Sequence, residues 1–259
     1  MELEVRDLAC GYLDKTVVSR ISLSIATGDS LCLLGPNGVG KTTFFKTLLG
    51  LLKLKAGQVL VNGEDVANWS RQKFATKVGY VPQSHIPPFP FAVLDVVVMG
   101  RNAHLGTFGA PGKEDRLIAE AVLDTLEIGY LKNRVYTEIS GGERQLVLIA
   151  RALAQKPEFL IMDEPTASLD FGNQIKVLNQ IDKLVKAEKV GVIMTTHFPN
   201  QAFFYASKVA IIGKDNTFVV GAPDEVITEK YLQEVYGVEV KIIAVEGKRG
   251  ARKVCVPVA

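Results

Sequence analysis

The segment GPNGVGKT, Gly35 to Thr42, constrains this chain more than any other. It fits the spacing G-x-x-x-x-G-K-[ST], follows the short apolar run SLCLL and opens the helix-like stretch KTTFFKTLLGLL. A glycine-rich loop between a buried strand and a helix suits phosphate. Glycines let backbone N–H groups wrap the oxygens, and the helix N-terminus adds about half a positive charge. Lys41 can reach β- and γ-phosphates, and the Thr42 hydroxyl can ligate Mg²⁺. A glycine-rich turn with an incidental lysine is the bland alternative, and the strand and helix flanks speak against it. Phe44, Leu48 and Leu51, at i, i+4 and i+7, predict one apolar helix face.

The surrounding chain reads as an α/β fold. VVSRISLSI and SLCLLG predict two strands joined by a Gly turn, and QVLVNGEDV predicts a hairpin turning at Asn62-Gly63. From about Pro87 to Glu138 the character changes. A proline-rich break, PPFP, leads to EDRLIAEAVLDTLEI with helical period, which predicts a mostly helical insertion. FLIMDE and VGVIMTTH follow, each an apolar run ending in polar residues after a helical segment. This alternation predicts a parallel sheet covered by helices, with ligands at the carboxyl ends of the strands.

Composition removes other classes. Of 259 residues, 47% are hydrophobic and 22% charged, enough for a sizeable core and unlike a disordered chain. Thirty basic against 28 acidic side chains leave a net charge of +2, which gives no case for a nucleic-acid binder. Cys10, Cys32 and Cys255 form neither a disulfide framework nor a C-x-x-C pair, which fits a reducing cytosol. The start, MELEVRDL, is not a secretory signal, and the longest apolar stretch, FAVLDVVVMG, is interrupted by Asp95. A soluble chain is expected, with any membrane role reached through a partner.

Two further segments carry chemistry. FLIMDE places Asp163 and Glu164 side by side at a strand end, where one carboxylate can hold Mg²⁺ and the next can polarise an attacking water. A solvated strand–loop junction is the plain alternative. In ISGGERQLVLIARAL, Ser140 and Glu143 have capping-box spacing, and Leu146, Ile149 and Leu153 share a helix face. The glycines behind Ser140 leave backbone N–H groups uncovered, a second anion site. One nucleotide needs one cradle, so two imply a second ligand or a partner that shares the nucleotide. A capped structural helix is the competing reading.

With these residues in place the chain resembles the ATP-binding cassette (ABC) ATPase family. GPNGVGKT matches Walker A, Gln83 in YVPQ the Q-loop, ISGGE the signature, FLIMDE Walker B, SLD the D-loop, and His197 in TTH the switch histidine. The signature is commonest as LSGGQ. The resemblance covers nearly the whole chain. It implies a P-loop NTPase (RecA-like) core with an N-terminal antiparallel β subdomain and an inserted α-helical subdomain. Expected subdomain spans are 1–83, 84–157 and 158–259.

The resemblance also assigns roles. Tyr12 would stack on adenine. Gly35, Pro36, Asn37, Gly38, Val39, Gly40, Lys41, Thr42 and Thr43 would hold the phosphates of ATP. Thr42, Gln83 and Asp163 would serve Mg²⁺. Glu164 would be the general base, and His197 would contact the γ-phosphate. Ser140, Gly141, Gly142 and Glu143 would meet the nucleotide of a second subunit, and Asp170 would link the two sites. The implied assembly is a head-to-tail homodimer on the cytoplasmic face of a membrane, with two permease subunits and, indirectly, a substrate-binding protein. No nucleic acid is implied.

FAVLDVVVMGRNAHLGTFGAPGKEDR, with Gly100-Arg101 and His104-Leu105-Gly106, looks like the stretch found in importers of metal chelates such as ferric siderophores, haem or cobalamin. Ala92 and Ala103 depart from the usual Thr and Pro. The tail GAPDEVITEKYLQEVYGVEVKI resembles the same group. Zinc/manganese and molybdate/tungstate importer ATPases are alternatives. A soluble ABC ATPase acting on DNA or ribosomes, and a P-loop kinase, fit less well. Most of Phe89 to Met99 is expected in the core, with a few residues walling a groove for a permease helix. Lys248, Arg249, Arg252 and Lys253 read as a solvated tail, with a lipid-facing patch the alternative.

Overall fold

The computed structural model describes residues 1–83, 89–106, 109–214, 217–247 and 250–258. Pro87 and Pro88 of the proline-rich break, and Lys248 and Arg249 of the basic cluster, lie outside these residues. In chain order the elements are β1 (Glu2–Tyr12), β2 (Lys15–Ala26), β3 (Ser30–Leu34), α1 (Lys41–Leu48), β4 (Ala56–Val61) and β5 (Glu64–Asp65). Then come α2 (Arg71–Lys77), β6 (Val78–Val81), α3 (Val93–Val98), α4 (Lys113–Thr125), α5 (Gly141–Leu153), β7 (Phe159–Met162) and α6 (Phe171–Ala187). The last are β8 (Gly191–Thr195), α7 (Pro199–Tyr205), β9 (Lys208–Ile212), β10 (Phe218–Gly221), α8 (Pro223–Val226), α9 (Glu229–Tyr236), β11 (Val240–Gly247) and β12 (Gly250–Pro257).

The chain forms two compact units, one of residues 1–67 with 191–259, the other of residues 68–190. In the first, β2, β1, β4 and β5 make an antiparallel sheet. The Asn62-Gly63 turn is there as expected, with φ of 53° and 79°, the left-handed pair that a tight hairpin needs. In the same unit β3 lies between β8 and β9, parallel to both, and β10 extends the sheet antiparallel to β9. All five residues of β3 and of β8 are buried, as befits strands covered on both faces.

The second unit pairs β6 with β7 in parallel and surrounds them with helices. The expected helical region is present: α3, a 3₁₀ stretch Met99–His104, α4, and short 3₁₀ turns at Gly129–Leu131 and Tyr136–Glu138. Val93, Val96, Val97, Leu123, Val147 and Ile149 form its core. Each such buried side chain stabilises by about 1.5–3 kcal/mol relative to exposure. Arg101 is buried there, its Nε 2.9 Å from Asp115 Oδ1 and its Nη1 donating to the Ala154 carbonyl at 2.7 Å.

One expectation needs correction. Leu51 is 66% exposed, because α1 ends at Leu48 and Gly50, with φ of 66°, turns the chain away. Leu146 is only half-buried. Ile149 and Leu153, on the same face, are buried as expected, and so are Gln145, Val147, Leu148, Ala150 and Ala152 around the rest of α5. Arg252 and Lys253 of the basic cluster are exposed, as a solvated segment requires. They belong to a hairpin in which β11 pairs with β12. Asn200 fixes it, donating from Nδ2 to the Cys255 carbonyl at 3.2 Å and accepting the Cys255 N–H at 2.6 Å. Lys253 meets Asp224 at 3.0 Å, and Arg252 lies 5.4 Å over the Phe204 ring.

Candidate functional site

In the first unit, β3 delivers the chain into the glycine-rich loop and α1 leaves it. Gly38 and Gly40 adopt φ of 78° and 116°. A Cβ on Gly40 would come within 2.4 Å of Val18 Cγ2, so the loop is pressed against β2 at a point that tolerates no side chain. No side chain caps α1, and no acidic residue sits in its first turn. Its N-terminal amides and dipole are therefore offered to an anion without a competing carboxylate. Lys41 is buried, with Nζ donating to the carbonyls of Gly35 at 2.7 Å and Pro36 at 3.0 Å. Thr42 is exposed and Thr43 buried. A loop of left-handed glycines, an uncapped helix and a lysine folded over the carbonyls fits a polyphosphate.

His197 lies at the same end of the sheet. Leu33 of β3 pairs with Thr195 of β8, so the phosphate loop and His197 both follow the carboxyl ends of adjacent parallel strands. Thr196 pins this turn: its N–H donates to the Leu33 carbonyl at 3.3 Å, its Oγ1 donates to Gln201 Oε1 at 2.6 Å and accepts the Phe198 N–H at 3.2 Å. Tyr12 closes β1 and is 46% exposed.

The second unit holds the carboxylates. Val81 pairs with Met162, and the Asp163 N–H extends the ladder to the Val81 carbonyl at 3.0 Å. Asp163 is buried at the end of β7. Tyr80 nearby has its phenol pKa pushed up, first by burial and then by the Asp163 charge. Glu164 takes a left-handed backbone, φ 47°, an unusual state for glutamate and the kind of strain that collects at functional sites. Gln83 Nε2 donates to Glu164 Oε2 at 2.9 Å. Sequence spacing named both residues but not this bond.

The signature segment is in the same unit. Ser140 caps α5 in the expected capping box: its Oγ accepts the Glu143 N–H at 3.3 Å, and its own N–H donates to Glu143 Oε2 at 2.8 Å. Ser140 Oγ and Glu143 Oε2 lie 2.7 Å apart. The Tyr130 hydroxyl donates to Glu143 Oε1 at 3.0 Å. These bonds, those from Ser140 foremost, hold the Glu143 carboxyl below its usual range. A Cβ on Gly142 would meet Asn173 Cγ at 2.8 Å. Asn173 in turn donates from its N–H to Asp170 Oδ1 at 2.9 Å and from Nδ2 to Asp170 Oδ2 at 2.6 Å. These bonds, the backbone one first, lower the Asp170 pKa. Asp170 caps α6, so the signature and the D-loop are brought together through Asn173. Tyr130 and Asn173 were not singled out from sequence. The Asp170–Asn173 spacing is a helix-start signal, whereas nothing local marks Tyr130.

The ABC transporter family profile matches residues 18–167. The chain belongs to the ABC transporter family. The hemin import ATP-binding protein HmuV of Thermobifida fusca is 38% identical over 242 residues, covering 93% of this chain and 84% of that protein. The molybdate import ATP-binding protein MolC of Haemophilus influenzae is 35% identical over 235 residues, covering 90% and 87%. A metal-chelate type ABC transporter solved in an inward-facing conformation matches with a TM-score of 0.89 at 32% identity, covering 99% of this chain and 97% of that one. This ABC subunit is an ATP-binding, ATP-hydrolysing protein with the P-loop NTPase fold, an antiparallel β part and a helical part.

Proposed function

We propose that this ABC subunit is the motor of an importer whose cargo is a metal chelate of the iron-siderophore, haem or cobalamin class. Likeness to a metal-chelate type transporter over nearly the whole chain carries this reading. The loop from Gly35 to Thr43 holds the triphosphate, and Tyr12 stacks on adenine. Lys41 trades two neutral carbonyls for phosphate oxygens, a stronger charge-assisted contact. The oxygens of Thr42, Gln83 and Asp163 are hard donors that suit Mg²⁺. That ion, when bound, offsets charge developing on the phosphate oxygens.

Glu164, oriented by the Gln83 bond, takes a proton from water as its oxygen adds to the γ-phosphorus. The bond to the β,γ-bridging oxygen breaks, leaving ADP and inorganic phosphate. His197 contacts the γ-phosphate. Ser140, Gly141, Gly142 and Glu143 of a second copy complete the site, and Asp170 links the two sites. Two copies sandwich two ATP molecules head to tail. Closure requires the γ-phosphate and hydrolysis removes it, a ligand-driven population shift that can move attached permease subunits.

No helix among the described residues is long and apolar enough to cross a membrane. We place the subunit on the cytoplasmic face, held by two permease subunits that receive cargo from a binding protein. Val93 and Val96 to Val98 are buried, but Phe89 is 62% exposed against Phe91, and this surface suits a short permease helix. Likeness to MolC favours a second reading, import of an oxyanion such as molybdate or tungstate. Substituting Glu164→Gln keeps ATP binding, traps a dimer and lowers turnover by at least about a hundredfold, the scale of a lost general base. Size-exclusion chromatography with ATP and a phosphate-release assay check both. Wild-type hydrolysis by this variant overturns the assignment.

A further inference from the structure

Gly35, where β3 enters the phosphate loop, is held from three sides within the first unit. Its N–H donates to the Tyr236 hydroxyl at 2.8 Å. Its carbonyl accepts from Lys41 Nζ at 2.7 Å. A Cβ here, at φ +151°, would meet the Ile212 carbonyl oxygen at 2.4 Å, so the loop entry also packs on the end of β9.

Tyr236 is well anchored. It is the last residue of α9, whose Leu232 and Val235 are buried. Thr228 Oγ1 accepts the Tyr231 N–H at 3.2 Å at the start of the helix, and Gly237 at φ 70° ends it. Burial pushes the phenol pKa up to about 12, so the hydroxyl stays neutral over the physiological range. This helix lies well beyond residues 18–167, the span shared with the family profile.

We propose that Tyr236 is a positioning residue of the phosphate loop, whose hydroxyl fixes the loop entry in the form that receives the triphosphate and so lets the C-terminal helix set the affinity for ATP. The inference rests on the reading that the Gly35 to Thr43 loop binds the triphosphate. When Lys41 turns to phosphate, it releases the Gly35 carbonyl, and the Tyr236 bond on the other side of the same residue stays. Preorganisation then depends on a residue that touches no reacting atom.

The test is fluorescence titration of the full-length chain with a fluorescent ATP analogue, mant-ATP, together with steady-state hydrolysis and thermal melting without nucleotide. Tyr236→Phe keeps the ring and removes the hydroxyl. It weakens mant-ATP binding about three- to tenfold, the worth of one neutral hydrogen bond. KM rises in step, while kcat at saturating ATP stays within about twofold. Tyr231→Phe, which removes a hydroxyl from the first turns of the same helix, leaves the affinity unchanged. Equal affinity of Tyr236→Phe and wild type overturns the proposal. So does a variant whose kcat and melting temperature fall together with its affinity, since that marks a purely structural residue. Lys41→Ala separates the layers: if it binds mant-ATP like wild type, the loop reading itself has failed.

Discussion

Gly40 shows how a single hydrogen atom decides the phosphate loop. Its φ of 116° and the nearness of Val17 and Val18 leave no space for a methyl group. Gly40→Ala must shift the loop off β2 or strain the backbone, at about 1–3 kcal/mol. It is expected to weaken ATP binding by at least about tenfold, because the amides no longer converge on the phosphates. Isothermal titration calorimetry checks this, and wild-type affinity contradicts it. The need for glycine at this position could be read from the motif. The wall that enforces it could not, since Val17 and Val18 come from a strand far from the loop's own flanks. The left-handed Glu164 is similar: the carboxylate was legible in FLIMDE, its backbone strain was not.

At the scale of elements, patterns closed by local bonds were legible and those closed from elsewhere were not. The Ser140–Glu143 box and the Asn62-Gly63 turn satisfy themselves within a few residues. The periodicity carrying Leu51 continued past the end of α1 because apolar spacing alone cannot see where a helix stops. The basic residues near the end read as solvated and are exposed; what local pattern could not show is that Asn200, distant in sequence, ties their hairpin down through Cys255. The capping box yields a pH prediction. Glu143 has a lowered folded pKa, so its contribution is present above the unfolded value, about 4.3, and is lost as pH falls through the folded one. Glu143→Ala is expected to cost about 1 kcal/mol at pH 7, the worth of a helix cap. In thermal melts the gap to wild type closes as pH is lowered through the acid range; a gap that widens there contradicts the assignment.

For the whole molecule, the residues that look most like a metal-chelate importer make contacts inside the helical part, Arg101 from a buried position and His104 from an exposed one. Arg101 is bound to Asp115 and Ala154, and His104 Nε2 lies 2.6 Å from the Gln155 carbonyl oxygen. Arg101 ties α4 to the end of α5 from inside the helical part. On the proposed importer reading, the subunit reconstituted in proteoliposomes with a permease and a binding protein is expected to hydrolyse ATP faster when hemin or a ferric siderophore is supplied, a population shift driven by the loaded partner. Stimulation by molybdate alone would favour the oxyanion reading. The contact of Asn173 with Gly142 and Asp170 has a different consequence. One side chain serves as filler for one loop and as anchor for the other. An engineer cannot retune the signature or the D-loop separately, because altering position 173 detunes both.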